Sequence, residues 1–470
     1  MTEQLDAWLR TTLDLLSEFQ FSPAATAVMR TTDVRLVANA TIDQLRGPCI
    51  AIPIDRPSPS APERPWIVPF GSGQITLWNR VDRPGAGWEA VPTEAAPAWW
   101  RHPSGTLVPA WNLWANLRDL LTFREERETA ARDEHGRFPA EASPRLRAGL
   151  LRVPAANDAN ALLLDAAFAL RGREMPRLRL DPAAVLPPGL VLSHDCDQLH
   201  GNDVYTQSIR GYRVLRSALS AGFGKSLRHA AAIARNTLTP EAFFAGNLFG
   251  MIDLERQFGF RSTSYFLTGR GGRFGARSGT IAAQAAIRKL PVGWEAGVNY
   301  NYHTVGSDDV MREEILNVKT ATGEDVIAGR AHYLRFDPVT DPVFLERNGI
   351  RFDESIGWST QLAYRPGIAG PFAPFDLARN RPLNLLAMPL VSMEAAILAQ
   401  GEETFRSMWS HLQAVGGLMS VLVHPGAYSN PEFPEYDGLY ERILSRAYAH
   451  GARSWSPRDL LAAKNRATAP

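Results

Sequence analysis

The chain has 470 residues, 45% hydrophobic and 21% charged, with 50 Lys+Arg against 49 Asp+Glu and a formal net charge of +1. That balance removes the electrostatic case for a nucleic-acid or acidic-membrane partner. The two cysteines, Cys49 and Cys196, exclude a disulfide scaffold and a cysteine-rich zinc module. The longest apolar runs, Ala161–Leu170 and Leu385–Leu398, are interrupted by Asp165, Ser392 and Glu394, so no transmembrane segment is expected. The start, MTEQLDAWLR, lacks a basic stretch followed by an apolar one, and the expectation is a cytoplasmic protein.

A chain of this length predicts more than one domain. Eight of the twelve tryptophans lie between Trp8 and Trp114, and proline recurs through Pro48–Pro109. Short apolar runs at Cys49–Pro53, Trp66–Phe70 and Ile75–Trp78 read as strands between turns. Trp111–Glu125 reads as a helix from its apolar spacing. A polar turn at Arg132–Phe138 and a helix at Asn160–Leu170 are expected to follow. The organisation expected is an N-terminal α+β domain over 1–155, a connector over 156–187, and a second domain over 188–470.

After Pro188, runs of strand length recur at Leu190–His194, Thr263–Leu267, Ala296–Tyr302, Ala328–Phe336, Ile350–Ile356, Leu383–Ser392, Ser420–His424 and Ala452–Ser456. Helical patterns lie between them: Val204–Leu219, Ile281–Leu290, Asp309–Val318, Glu403–Val415 and Leu439–Ala449. The alternation predicts an α/β fold, a distorted (β/α) barrel of seven or eight units with reactive groups at the C-terminal strand ends.

The chemistry is carried by what ends those strands. The first gives His194, Asp195, Cys196 and Asp197; by alternation the two acids share a face and Cys196 points away, as a buried, inert thiol. Alone, such a pair reads equally well as a helix cap and a solvated turn acid. Arg330 and His332 share a face of another strand, where an arginine holds a carboxylate ionised and a histidine is a metal-ligand candidate or a structural residue. His424 ends the run Ser420–Val423, as a general acid or a capped strand end. Asn299 and His303 stand four apart: roughly 13 Å if extended, about 5–6 Å if helical, and the sequence leaves that open. Gathered in one barrel mouth, these groups suit a cation, a base, an arginine that orients the base, and an acid, the parts of metal-assisted hydrolysis. Trp294, Tyr300 and Trp358 are candidates for stacking on sugar rings, with core packing as the alternative.

With these motifs the chain resembles the polysaccharide deacetylases, the NodB-homology or carbohydrate esterase family four group, over about Leu190–Leu461. The residues that carry the likeness are His194-Asp195-Cys196-Asp197 and Arg330-Ala331-His332-Tyr333-Leu334-Arg335, with Gly201–Gln207, Ser262–Phe266, Asn348–Trp358, Ala363–Asp376 and Val421–His424. The resemblance implies that Asp195 is the general base, Arg330 orients it and His424 is the general acid. It makes Asp197 a metal ligand; with Asn299 at the second motif, the set expected to complete the site is His332 with His303 or Asn299. It implies a divalent metal, zinc first and cobalt, nickel or manganese as alternatives, a carbohydrate substrate, and removal of an N-acetyl group from an amino sugar or polysaccharide precursor. The family's second motif supplies a histidine where this chain has Asn299 in Gly297-Val298-Asn299-Tyr300-Asn301-Tyr302. The alternatives are therefore a catalytically silent barrel that binds a carbohydrate or a partner, and a C–N hydrolase of a small non-sugar amide. The first ~150 residues resemble a domain that precedes such barrels in some bacterial proteins, and receive no role from the sequence.

Overall fold

The structure is a computed structural model. It describes residues 2–467 apart from 64, 93–95, 173–177, 200–207, scattered residues between 209 and 239, 270–273, 277–278 and 430–433. The helix expected at Val204–Leu219 and the stretch Gly201–Gln207 fall largely or wholly outside the described residues.

Eight strands form one parallel sheet: β1 (Gly189–Cys196), β2 (Ser262–Leu267), β3 (Glu295–Tyr300), β4 (Ala328–Ala331), β5 (Phe352–Asp353), β6 (Leu386–Ala387), β7 (Ser392–Met393) and β8 (Leu418–Leu422). Their order across the sheet is β6-β5-β4-β3-β2-β1-β8-β7. The edge strands β6 and β7 are separated by only Met388–Val391. A flat sheet at about 4.8 Å per strand would hold its edges roughly 34 Å apart. The steps from Ala387 to Ser392 span at most about 18 Å. The sheet therefore curls until its edges nearly meet, as the parallel bridge Gly357↔Leu390 near that gap also shows. Every residue of β1 and β2 is buried, the state of strands with helices on one side and a barrel interior on the other.

The helices form by the 3.6-residue period. Leu439–Ala449 buries Leu439, Tyr440, Ile443, Leu444 and Ala447, one stripe facing the sheet. The helices over 279–287, 308–322 and 402–415 match the sequence reading to within a few residues.

Several boundaries differ from expectation. The run Ala328–Phe336 is a strand only to Ala331; a 3-10 turn follows at His332–Leu334, with Tyr333 at φ 61° and Leu334 at φ 51°. Left-handed backbone at two non-glycine residues cannot continue a strand. Leu383–Ser392 is two short strands, because the chain must turn the corner between the sheet's edges. Ala452–Ser456 makes a single bridge, Ser454 to Leu190, beside the start of β1 and is no strand. The helix read at Trp111–Glu125 runs Leu113–Leu121 and breaks at Phe123, φ 53°, before a short turn at Arg124–Arg127.

The N-terminal region has a five-stranded mixed sheet in the order Val34–Val37, Ile50–Pro53, Leu107–Pro109, Trp99–Arg101, Glu89–Val91, and a hairpin over Trp66–Phe70 and Gly73–Leu77. Helix Thr2–Gln20 buries Leu5, Trp8, Leu9, Leu13 and Leu16 along one stripe. Gln20 donates to the Val415 carbonyl at 2.7 Å, and Trp8 donates to Ala373 O at 2.7 Å. Helix Ala155–Leu170 lies buried between that helix and the barrel; Asn157 donates to Ala369 O and Gly416 O. One apolar core contains Leu9 and Trp114 together with Leu192 and Met419 of the barrel. No described helix is long and apolar enough to cross a membrane.

Candidate active site

The C-terminal ends of the strands open into a cavity of about 500 Å3 lined in part by Asp195, Asp197, His332, Tyr333 and His424. Small-ligand clefts run roughly 300–1,000 Å3.

Register places the first pair. Asp195 on β1 lies opposite Tyr265 on β2, and Asn299 on β3 lies opposite Arg330 on β4. Arg330 crosses the interior, sealed from solvent, and donates from Nη1 to Asp195 Oδ1 at 2.7 Å and from Nη2 to Ser193 Oγ at 2.7 Å. Its Nη2 also lies 3.1 Å from Glu354 Oε2, and its Nε donates to the Glu354 carbonyl at 3.2 Å. Tyr265 donates to Glu354 Oε2 at 2.6 Å, and its ring stands 4.7 Å beneath the guanidinium. Room for that ring comes from Gly297 on β3, where a Cβ would meet Tyr265 at 2.5 Å. Burial opposes the charge on Arg330, but the Asp195 and Glu354 carboxylates outweigh it and push the group's pKa up. Burial pushes Glu354 up, with Arg330 and Tyr265 pulling the other way. Asp195 thus keeps Oδ1 on the arginine while the residue borders the cavity.

The second group gathers on Asp197. Its Oδ1 accepts from Asn299 Nδ2 at 2.7 Å and lies 3.3 Å from His332 Nδ1; its Oδ2 lies 3.8 Å from His424 Nε2. His332 arrives there from the 3-10 turn rather than by strand alternation. His424 Nδ1 sits 2.7 Å from Glu394 Oε1. Burial would lower the His424 pKa, but Glu394 first, then Asp197 and Asp195, raise it to about 10, so the ring is an imidazolium at neutral pH.

The donor set for a cation can be tested on these atoms. Among the described residues there is no group of three His, Cys, Asp or Glu able to hold a metal. Asp197 and His332 alone have a suitable spacing: two ligands on a tetrahedral ion with bonds of about 2.0–2.1 Å stand roughly 3.3 Å apart. The buried Asn299 Oδ1 has no hydrogen-bond partner. A turn of the Asn299 amide about its last torsion would bring that oxygen to Asp197 in place of the nitrogen, an arrangement that needs a cation between the two oxygens. With the amide so turned, the carboxylate, imidazole and amide oxygen would fit an ion; as placed, the Asn299 N–H occupies that position.

The structure does not bring His303 into this group. The chain turns after Tyr300 and leaves His303 exposed, its ring against Tyr302. None of Trp294, Tyr300 and Trp358 lines the cavity. Trp294 donates to Glu255, Tyr300 is fully buried and Trp358 donates to the Phe138 carbonyl. Cys196 is buried away from the cavity, and burial pushes its thiol well up, which keeps it inert. The neighbouring His194 faces outward too, with Nε2 2.7 Å from Glu255 Oε1 and Nδ1 2.8 Å from Val423 O.

Sequence reasoning missed Glu354, Glu394, Ser193, His135 and Arg137. Glu394 directly follows β7 and Glu354 directly follows β5, so the strand-end rule that found Asp195 and His424 would have found both. His135 and Arg137 carry no such signal, because they reach the mouth from the N-terminal region.

No protein-family model and no curated protein matches the chain. Solved structures do. A probable polysaccharide deacetylase from Pseudomonas aeruginosa PAO1 is 12% identical, with 63% of this chain and 98% of that one covered and a TM-score of 0.38. The PuuE allantoinase is 14% identical, covering 63% and 99%, with a TM-score of 0.38. The peptidoglycan deacetylase PdaC of Bacillus subtilis, in a mutant form, is 10% identical, covering 61% and 95%, with a TM-score of 0.31.

Proposed function

We propose that the protein is a hydrolase that removes an N-acetyl group from an amino sugar or polysaccharide precursor. The observation that carries this reading is the convergence on one cavity of a carboxylate fixed by a buried arginine, Asp195 with Arg330, and an imidazolium fixed by a carboxylate, His424 with Glu394. Asp195 takes the proton from water as its oxygen attacks the acetamide carbonyl carbon. The C–N bond breaks, and His424 gives its Nε2 proton to the departing nitrogen, leaving acetate and a free amine. Arg330 aims Asp195 through its bond to Oδ1, and Glu394 keeps His424 charged. Each proton transfer of this kind contributes about 10²–10⁴ in rate. A divalent cation held by Asp197, His332 and Asn299 would polarise the scissile carbonyl.

Acetate release from N-acetylglucosamine oligomers, with the ion content of the purified chain, tests the proposal. Stoichiometric binding of zinc, cobalt or manganese and acetate release are expected. A chain that loads an ion and deacetylates no N-acetylated sugar is not this enzyme.

A second reading has its own observation. The Asn299 amide donates to Asp197, placing an N–H where a cation would otherwise neutralise that carboxylate. In a silent barrel this bond replaces the ion. Wild-type protein would then bind no ion, and Asn299→His would gain one.

A further inference from the structure

The barrel strands do not close the cavity alone. A turn of the N-terminal region, Asp133–Arg137, inserts against the mouth, and His135 and Arg137 line the cavity beside Asp195 and His332. The turn is preformed: Asp133 Oδ1 accepts from the backbone N–H groups of His135 and Arg137, each at 2.9 Å. Arg137 donates from Nε to Asp133 Oδ2 at 2.8 Å and from Nη1 to the Tyr333 carbonyl at 2.6 Å. Tyr333 is the left-handed residue beside His332, so Arg137 ties the turn to the strained backbone that presents a site histidine. His135 Nδ1 lies 2.9 Å from the Tyr302 hydroxyl; among the described residues Nε2 has the Glu134 carboxylate at 3.7 Å, beyond hydrogen-bond reach. The imidazole packs against Tyr333, with ring centroids 5.1 Å apart, and Phe274 packs edge-on at 5.6 Å.

The geometry points to this turn as the sugar-facing wall of the cleft, with His135 binding the N-acetylated sugar and Arg137 fixing the wall to the barrel. The inference rests on the reading that the cleft takes such a sugar. A sugar ring has apolar C–H faces and a rim of hydroxyls. A wall where the Tyr333 and His135 rings line the cavity, with an imidazole nitrogen that has no hydrogen bond among the described residues, suits both. The N-terminal region thereby acquires a role, supplying substrate recognition to a barrel that supplies the chemistry.

Calorimetric binding of the N-acetylglucosamine trimer to the full-length chain tests this, with the thermal unfolding midpoint measured on the same samples. His135→Ala should weaken binding by about tenfold, the value of one hydrogen bond of this class, and leave the midpoint within a few degrees. His135→Phe keeps the aromatic packing and removes both nitrogens; it should lose affinity equally. Arg137→Ala should weaken binding, and Arg137→Lys, which lacks the fork that reaches Asp133 and Tyr333 together, should not restore it. Should Arg137→Ala fail to fold, the two His135 variants decide alone. Trimer binding that survives His135→Ala or His135→Phe, or that falls only with the unfolding midpoint, overturns the inference, as does a wild-type chain that binds no trimer. Tight trimer binding lost on His135→Phe, from a wild type that releases no acetate, would sink the hydrolase and leave the wall standing.

Discussion

Arg330 in the barrel mouth and Arg365 on the seam with the N-terminal region are both buried and both paired with carboxylates, yet the two pairs are built differently. Arg365 grips Glu126 with Nε at 2.8 Å and Nη2 at 2.6 Å, one donor on each carboxylate oxygen, and Nη1 donates to Gly357 O. Glu126 is 2% exposed and borders no cavity with Asp195 or His424. Beside it, Arg145 joins Glu125 to the Arg365 carbonyl, and this bond with the Arg365–Glu126 pair fastens residues 124–147 to the barrel. Arg330 instead divides its donors between Asp195, Ser193 and Glu354. A closed fork engages both oxygens of its carboxylate and serves as a fastener. A divided guanidinium leaves its carboxylate capacity to accept a proton, and Glu354 keeps it ion-paired if Asp195 is neutralised. That distinction separates a base from a bolt where burial and charge alone do not.

Asp195→Asn should break the first pair's chemistry and little else. Loss of the base is expected to lower acetate release by about 10²–10⁴. Arg330 retains Glu354, so the unfolding midpoint should fall by only a few degrees. A variant that still turns over within tenfold of wild type removes Asp195 as the base. One that loses its bound ion as well shows that Asp195 and Asp197 have exchanged roles.

Arg365→Met tests the other side. It leaves Glu126 buried without its cation, a change that costs about 3–5 kcal/mol, measurable in denaturant unfolding. Replacing both partners, Arg365→Met with Glu126→Leu, should recover most of the loss, because the stranded charge rather than the missing attraction carries the penalty. A single variant costing under ~1 kcal/mol would mean that the seam is held by apolar packing alone.

The same contrast explains what was legible in the sequence. The barrel was readable because each unit announces itself locally, through an apolar run followed by polar residues where the strand must end. Asp195, Asp197, Arg330 and His424 all sit at such ends. Strand alternation does not account for His332, since the strand stops one residue earlier and a left-handed turn delivers the ring. His303 is a candidate by its spacing from Asn299, and spacing cannot see the turn after Tyr300 that leaves it exposed. The pairing of Arg365 with Glu126 spans 239 residues and follows no period. Nor does that of Arg137 with Tyr333, across 196. Contacts across a seam between two regions are set by docking, and docking leaves no trace in either region's local pattern.

The smallest effect concerns Glu314, a buried carboxyl behind the loop that follows β3. It accepts from Thr304 Oγ1 at 2.8 Å and from the Asn301 N–H at 3.3 Å. Burial outweighs these bonds and raises its pKa from 4.5 to about 7. An acid with a raised folded pKa favours the folded state most when both states are protonated. Its contribution is therefore full below about pH 4.5, declines as the unfolded chain ionises, and levels off above about pH 7. The span is at most about 3.5 kcal/mol at roughly 1.4 kcal/mol per unit. Asp353, raised to about 7, and Asp341, raised to about 6, slope the same way, so the wild-type curve alone cannot isolate Glu314. The difference between wild type and Glu314→Gln can. At pH 5 the glutamine should be less stable, because its NH2 meets the Asn301 donor where a protonated carboxyl offers an acceptor. By pH 8 the gap should close or reverse, since only the wild type must then bury a charge or keep a proton. A stability difference that stays constant from pH 5 to pH 8 would show that Glu314 ionises in the folded chain at its ordinary pKa.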